Sequence, residues 1–386
     1  MKKLNKKRNY NKAYGVLMAV GFILYIGAVA ILNGLTKDKE FSEEENRNLE
    51  TKPKFTIGSF IEGTYVKNYD SYTSDQFAGR NFFVRFKSRL DSLAGNDEKQ
   101  GVFIGKDSQL LQDFQIRTKE ETEAKVQAIN SFADSLEGVN TTFMLAPTAT
   151  KVLEEKLPKY APVDDEGVFI ESIGSMLSEN VKLVNPTNEL KNNKDKYLYY
   201  KTDHHWTTKG AYIAYQELCR ALEIEAVTEE NFVVEQVTDE FYGSLSSKIG
   251  SKNGQPDSID IYFPKENSEI VVNYISEQKK TTTLYDSSSL EKKDKYEVFT
   301  GGNHPHINIK TLGDTSKKLL VIKDSYANSM LTFLTPHYGE IDVIDLRYYM
   351  DDVKALVEAQ GITDILFLYN VNTFNEDDSI LNLEVE

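Results

Sequence analysis

Hydrophobic and polar positions follow two different periods along this chain. From about residue 120, short continuous apolar runs, typical of buried strands, are separated by segments with the spacing of amphipathic helices. The runs TTFMLAPT, VKLVNP, KLLVIK, EIDVIDL and DILFLYN predict strands, and the segments EETEAKVQAINSFADSLEG, TKGAYIAYQELCRAL, SYANSMLTFL and MDDVKALVEAQ predict helices. We expect Thr207 or Thr208 to cap the second helix. Strands and helices in this order predict an α/β fold with a mostly parallel sheet covered on both faces.

The pattern changes in three other places. Residues 226–300 contain strand-like pieces (SIDIYF, EIVVNYI, TTTLYD) and predict a β-rich insertion, while GVFIGKDSQLL predicts a hairpin. Residues 59–94 have the spacing of an amphipathic helix pair broken at Gly79, and the acidic run KDKEFSEEENRNLETKPKF before them predicts a linker. We therefore divide the chain into residues 1–36, a linker and membrane-proximal helical segment at 37–98, and an α/β domain at 99–386.

The first 36 residues predict a membrane anchor. Their six charged residues are all basic and precede residue 13, and residues 13–36 carry no charge. As a helix at about 1.5 Å per residue, this uncharged run of 24 residues spans roughly 36 Å, enough to cross a bilayer core of about 30 Å. The basic head predicts a cytoplasmic tail, with the bulk of the protein outside the cell membrane.

Two alternatives to an anchor remain open. Ala28-Val29-Ala30 has the form of a signal-peptide cleavage site, and cleavage there would give a secreted protein. The apolar run continues through Leu35, which favours the uncleaved anchor. A buried core helix is the other alternative, and the flanking residues argue against it.

The composition of the chain restricts the kinds of molecule that it can bind. Hydrophobic residues make up 40% of the chain and charged residues 27%, a globular balance, and the net charge is −15. An acidic chain is a poor match for nucleic acid, whose phosphates need a basic surface. Cys219 is the only cysteine, so no internal disulfide is expected, and a domain of this size does not require one.

Two strand ends carry candidate chemistry. KLLVIKDSYANSM runs from a strand through Asp324 and Ser325 into a helix, whose N-terminus would favour a developing negative charge. YYKTDHHWTTKGAY places Asp203 and His205 two residues apart, so both side chains can project to one side while His204 points elsewhere. A serine nucleophile needs such a base and orienting carboxylate. We expect Ser325 Oγ within about 4 Å of a His205 nitrogen.

Simpler explanations of these residues stay open. Asp324 or Ser325 can serve only as a helix cap, and the two histidines can be purely structural. Asp-His-His can also bind zinc or iron, but such sites need further ligands, and only His304, His306 and His337 remain. We therefore expect neither a metal nor another cofactor.

The segment TDHHWTTKGAY resembles the signature of the bacterial DHHW family. FSEEENRNL, YTSDQFAGRNFF, FYGSLSSKIG, GGNHPHI and KDSYANSMLTFLTPHYGEIDVIDLRYY are also similar in order and content. That family is similar to the SGNH-like proteins of alginate O-acetylation, which implies an SGNH-hydrolase-like, doubly wound fold. The resemblance assigns the Asp and His roles to Asp203 and His205 and the nucleophile role to Ser325. It also matches LAPTATKVLEEKLP, with Lys151, to a block of that family.

The resemblance has departures that affect the rest of the site. Lys323-Asp324-Ser325 stands where a Gly-Asp-Ser is usual, and Asp and His precede the serine, in the reverse of the order in ordinary SGNH hydrolases. The oxyanion donors are therefore open, with Asn303 and the Ser325 backbone N–H as candidates. Asn303 can instead be an ordinary turn residue after two glycines. We expect His204 and Trp206 to frame the substrate site.

The resemblance implies an extracytoplasmic O-acetyltransferase or acetylesterase that acts on a cell-surface polysaccharide. It also implies an acetyl donor supplied by a membrane-bound O-acyltransferase partner. The 22 tyrosines and 20 phenylalanines provide surface on which sugar rings could stack. The alternative is a carbohydrate-binding or scaffold protein of an envelope-modification complex with no catalytic role.

Overall fold

The apolar runs of the sequence form strands in the structure, a computed structural model. It describes residues 2–42, 47–80, 82–83, 86–87, 98–250, 254–266 and 269–384. The strands are β1 (Phe41–Ser42), β2 (Arg47–Asn48), β3 (Glu98–Lys99), β4 (Val102–Ile104), β5 (Leu110–Gln112), β6 (Asn140–Ala146), β7 (Val181–Val184), β8 (Phe232–Phe241), β9 (Asp257–Pro264), β10 (Val271–Tyr274), β11 (Lys279–Thr281), β12 (His306–Lys310), β13 (Lys318–Lys323), β14 (Glu340–Ile344) and β15 (Asp364–Asn370). They are distributed over two compact units, Met1–Ala94 and Gly95–Glu386, which are described separately.

Three of the four helices predicted in the α/β domain are present, the fourth, at residues 325–334, is shorter than predicted, and the structure adds helices that no pattern predicted. The helices are α1 (Lys2–Leu35), α2 (Ile57–Ile61), α3 (Thr64–Asp75), α4 (Lys119–Asp134), α5 (Ala149–Val152), α6 (Glu166–Met176), α7 (Thr187–Asn192), α8 (Thr208–Leu222), α9 (Ser244–Ile249), α10 (Leu331–Leu334), α11 (Val353–Gln360) and α12 (Val371–Glu376). The Thr207 hydroxyl accepts from the Gly210 N–H and caps α8, which decides between the two predicted caps.

The first unit contains the apolar helix. Within α1, Tyr14–Leu35 is long and apolar enough to cross a membrane, and its side chains are not buried. The chain breaks at Gly79, as predicted, and also at Gly63, both with positive φ. Helical turns resume at Arg80, but the predicted second helix lies only partly within the described residues.

The predicted linker is not a free segment where it is described. The Gln76 side-chain amide donates to the carbonyl groups of Lys39 and Glu50, and its Oε1 accepts from the Lys39 N–H. These bonds attach the residues after α1 to the end of α3. A polar, acidic composition predicted solvation here but could not reveal this attachment, because it depends on one amide far along the chain.

The second unit is built on a mixed sheet of order β11-β10-β12-β14-β13-β15-β6-β7. Strands β14, β13, β15, β6 and β7 are parallel to one another, whereas β12, β10 and β11 are antiparallel to their neighbours. The mostly parallel sheet of the prediction is therefore extended by an antiparallel part. Two of the added strands, β10 and β11, come from the predicted insertion at 226–300. Only β8 and β9 of that segment form a separate two-stranded sheet.

Both faces of the sheet are covered. Along β13, Leu319 and Val321 belong to one apolar cluster, which includes α8, while Leu320 and Ile322 belong to another, which includes α4 and α6. This alternation follows from the two-residue period of a strand, and it explains why β13 is apolar at every position from 319 to 322.

The two edges of the sheet are short. Strand β11 has three residues, of which Lys279 and Lys280 are exposed, and β7 has four residues, with Lys182 exposed. The predicted hairpin at GVFIGKDSQLL is also present: β4 and β5 pair antiparallel, with β3 beside β4.

Candidate active site

Ser325 lies directly beyond the carboxyl end of β13. From residue 319 to residue 335 it is the only residue that is not buried. Asp324 is fully buried and acts as a cap, because its carboxylate accepts from the Tyr326 N–H at 2.9 Å and from the Asn370 N–H at 2.8 Å. The strand end thus buries the capping residue and presents the next side chain to solvent.

The helix predicted from Ser325 onward is shorter than expected. Residues Ser325–Ser329 form a 3-10 turn, and α10 follows it. The Ser325 carbonyl accepts from the Tyr296 hydroxyl at 3.1 Å, and the Tyr326 carbonyl accepts from Trp206 Nε1 at 2.9 Å. Side chains from distant segments therefore take the carbonyl groups that a regular helix would use internally.

The DHHW segment brings a carboxylate and an imidazole to Ser325. His205 Nε2 lies 2.8 Å from Ser325 Oγ, and His205 Nδ1 lies 2.6 Å from Asp203 Oδ1. Asp203 and His205 are both buried, with 3% and 5% of their surface exposed. The predicted contact between Ser325 and His205 is confirmed, and the three side chains form one chain of hydrogen bonds.

The charge of Asp203 sets the direction of these bonds. Burial on its own raises the pKa of the Asp203 carboxyl. The neighbouring histidines and the bonds from His205 and from the Ser244 N–H outweigh burial, so the net pKa is well below its usual range. An ionised Asp203 can only accept, so His205 Nδ1–H donates to it and Nε2 is left to accept from the Ser325 hydroxyl.

His204 is closer to the site than predicted. Its Nδ1 lies 2.6 Å from Ser244 Oγ, and its ring centroid lies 3.8 Å from that of His205. Residues 201–205 form a series of bends rather than a strand, so side-chain alternation does not direct His204 away. Burial is the largest cause that lowers the pKa of His204, to about 3, and its ring is therefore neutral at pH 7.

The motif FYGSLSSKIG supports the carboxylate, a role that sequence reasoning missed. The Ser244 N–H donates to Asp203 Oδ2 at 2.7 Å. A Cβ atom on Gly243 would lie 2.2 Å from the Asp203 Cβ, so only glycine fits there without a shift. The motif was recognisable as a family likeness, but its contact with Asp203 spans about forty residues and has no local signal.

Trp206 does not reach the substrate side of the site. It is fully buried, and its indole N–H donates to the Tyr326 carbonyl and, at 3.1 Å, to Ser329 Oγ. The expectation that Trp206 frames the substrate is wrong, because no part of its ring is exposed. It instead anchors the turn that carries Ser325.

Asn303 stays a candidate oxyanion donor. Asn303 is exposed, and its Oδ1 accepts from Lys323 Nζ at 3.0 Å and from Asn328 Nδ2 at 3.3 Å. Burial lowers the pKa of Lys323 to about 8, which leaves it mostly charged at pH 7. Two donors on one oxygen fix the orientation of the amide, so that its NH₂ group, which can only donate, faces away from them.

Lys151 is not part of this hydrogen-bond network. Its ammonium pairs with Asp165 Oδ1 at 2.6 Å, at the start of α6, and lowers the pKa of that carboxyl. The family pattern that pointed to Lys151 identified an ion pair here, and the structure joins it to neither Ser325 nor His205.

A metal site has some geometric basis. One ligand atom from each of Asp203, His204 and His205 lies within 4.8 Å of the others, and no other such group of three occurs among the described residues. The other three histidines form hydrogen bonds away from this group: His304 with Glu277, His306 with Asp342 and His337 with the Tyr215 hydroxyl. A hydroxyl 2.8 Å from His205 Nε2 favours the serine interpretation over the metal one.

Comparison with known proteins finds a matching family and a matching relative. Residues 100–344 match a family described as DHHW protein. The chain is 24% identical over 246 residues to the "Probable alginate O-acetylase AlgJ" of Pseudomonas syringae pv. tomato, an alignment that covers 60% of this chain. The chain spans only 59% of that relative's length.

Solved structures show a similar fold. A DHHW family protein from Eubacterium siraeum has a TM-score of 0.61 at 23% identity. Bacillus cereus PatB1 with a sulfonyl adduct has a TM-score of 0.61 at 20% identity. Each match covers 72% of this chain and 97% of the other. Identities of this size relate the folds alone.

Proposed function

The chain belongs to the DHHW protein family, and from that premise we propose that it is an SGNH-like serine O-acetyltransferase or acetylesterase acting on a cell-surface polysaccharide. The observation that carries the proposal is the 2.8 Å contact between Ser325 Oγ and His205 Nε2, with Asp203 bound to the other ring nitrogen. The distant relative named as a probable alginate O-acetylase supports an acyltransferase-like enzyme at the level of the family.

In the first half-reaction, Ser325 Oγ attacks the carbonyl carbon of an acetyl ester. His205 Nε2 takes the hydroxyl proton, and Asp203 stabilises the imidazolium that forms. The carbonyl oxygen becomes an oxyanion, for which the Ser325 backbone N–H and the Asn303 amide are the proposed donors. His205 then returns the proton to the leaving alcohol, and acetyl-Ser325 remains.

In the second half-reaction, His205 removes a proton from the acceptor. A carbohydrate hydroxyl as acceptor gives transfer, and water gives hydrolysis, and in both cases the proton returns from His205 to Ser325 Oγ. The alginate in the name of the AlgJ relative supports a polysaccharide substrate. The proposal also includes a membrane-bound O-acyltransferase as acetyl donor, which rests on the family resemblance.

The first test is ester turnover with and without a chelator. The purified protein should release acetate from a chromogenic acetyl ester at the same rate with and without EDTA, because no proposed step uses a metal. A sulfonyl fluoride should block turnover and modify Ser325, since such reagents react with activated nucleophiles. Chelator-sensitive turnover would favour a metal at Asp203, His204 and His205, and no turnover would favour a binding or scaffold protein.

The second test concerns location. The N-terminal helix fits either a single-pass anchor or a signal sequence, and we propose an anchor with the N-terminus in the cytoplasm. The full chain should fractionate with membranes and remain there at high salt, because a span of about 30 Å is held by apolar burial rather than by charge. A soluble product beginning at Ile31 would show cleavage after Ala30 instead.

A further inference from the structure

Tyr296 connects the base and the nucleophile of the proposed reaction. It lies in a 3-10 turn (Lys295–Val298) within the segment that interrupts the α/β alternation, and it is 4% exposed. Its ring stacks on the His205 imidazole, with centroids 3.7 Å apart and planes within 9°. Its hydroxyl donates to the Ser325 carbonyl at 3.1 Å and lies 3.4 Å from Ser329 Oγ.

The stacked ring limits the freedom of the imidazole. The bond to Asp203 fixes one nitrogen but still permits rotation about that contact. A parallel ring at van der Waals distance opposes this rotation, because tilting the imidazole would bring the two rings into collision. The His204 ring, with its centroid 3.8 Å from that of His205, adds a second close contact. Nε2 is thus directed at Ser325 Oγ before substrate binds.

The Tyr296 ring also affects the energy of a positive charge on His205. His205 becomes an imidazolium when it takes the Ser325 proton, and the negative face of an aromatic ring attracts a cation placed over it. This attraction is stronger in the transition state, in which the imidazole gains the Ser325 proton, than before that proton is transferred. An interaction that strengthens in this way raises kcat without changing substrate binding.

We propose that Tyr296 is a positioning residue that holds the plane of the His205 imidazole and stabilises its protonated form. This inference rests on the proposed function. It also gives two residues of the 226–300 segment a part in the reaction, because Tyr296 packs against His205 and Ser244 donates to Asp203.

The test compares Tyr296→Phe, Tyr296→Leu and the control Phe299→Leu. Phe299 is also buried and packs on Tyr296 at 5.0 Å, so its loss disturbs the same apolar cluster. Tyr296→Leu should lower kcat for an acetyl ester about tenfold to thirtyfold, with KM within about twofold. Tyr296→Phe keeps the ring face and should retain kcat within about fivefold, and Phe299→Leu should retain it as well.

A fluorinated phenylalanine series at position 296 provides a second measurement that preserves the packing. Fluorination withdraws electron density from the ring face while changing its shape little, so kcat should fall as fluorine is added and KM should not change. Equal kcat across this series, or equal kcat in Tyr296→Leu and Phe299→Leu, would overturn the inference. The proposed function fails separately, if Ser325→Ala turns over as fast as the unmodified protein.

Discussion

His205→Ala is expected to lower ester turnover by ~10³–10⁴-fold, and Ser325→Ala by a similar factor, because nucleophile and base act as one unit. Without the imidazole, no group within hydrogen-bonding distance of Ser325 Oγ can take its proton, among the residues that the structure describes. Asp203→Asn should also be severe, since an amide can donate to Nδ1 and so favour the wrong tautomer.

His204→Ala is the matched control, with an expected loss of about tenfold or less. It is an adjacent histidine that packs on His205 and binds Ser244, but in the proposed mechanism it transfers no proton. Variants with unchanged melting temperatures should be compared by initial rates on an acetyl ester. If His204→Ala is as damaging as His205→Ala, and added zinc or iron changes both rates, a metal site replaces the serine mechanism.

Trp206→Ala is expected to lower the free energy of unfolding by about 3–5 kcal/mol. The indole is fully buried, and its N–H serves both the Tyr326 carbonyl and Ser329 Oγ. Its removal leaves a cavity beneath the Ser325 turn and leaves the Tyr326 carbonyl with a weaker partner, the Ser329 hydroxyl at 3.4 Å. Trp206 is the only tryptophan, so unfolding in urea should be followed by circular dichroism rather than by tryptophan fluorescence.

The control for this experiment is Tyr348→Ala, which removes an aromatic side chain that is 50% exposed. Substitutions at such positions change stability by about 0.5 kcal/mol or less. Equal destabilisation by Trp206→Ala and Tyr348→Ala would contradict the anchoring role of the indole.

The local features of the fold could be predicted from sequence. Apolar runs such as KLLVIK became strands, and Thr207 became the cap of α8, because strand burial and capping depend on residues close together in the chain. The contact of His205 with Ser325 was also predictable, because the family motif selected the pair and reactive side chains gather beyond the carboxyl ends of parallel strands.

Features that depend on distant partners could not be predicted. The turn at Ser325 is a 3-10 turn because Tyr296 and Trp206 take its carbonyl groups. The sequences of strands β10 and β11 do not show which sheet they join, and only the pairing of β11 with β10 and of β10 with β12 shows that they extend the main sheet. Trp206 directly follows the two histidines in sequence, but the chain bends at residues 201–205 and the indole lies in the core.

The short, lysine-bearing edges of the sheet bear on how the protein behaves at high concentration. An open edge presents unpaired backbone groups on which a second chain can add a strand, the first step of aggregation. Strand β11 offers only three residues, with Lys279 and Lys280 exposed, and Lys182 is exposed on β7 at the opposite edge. Docking a further strand at either edge would bury a charged ammonium group. The main sheet therefore offers little edge on which a second copy of the protein could add a strand.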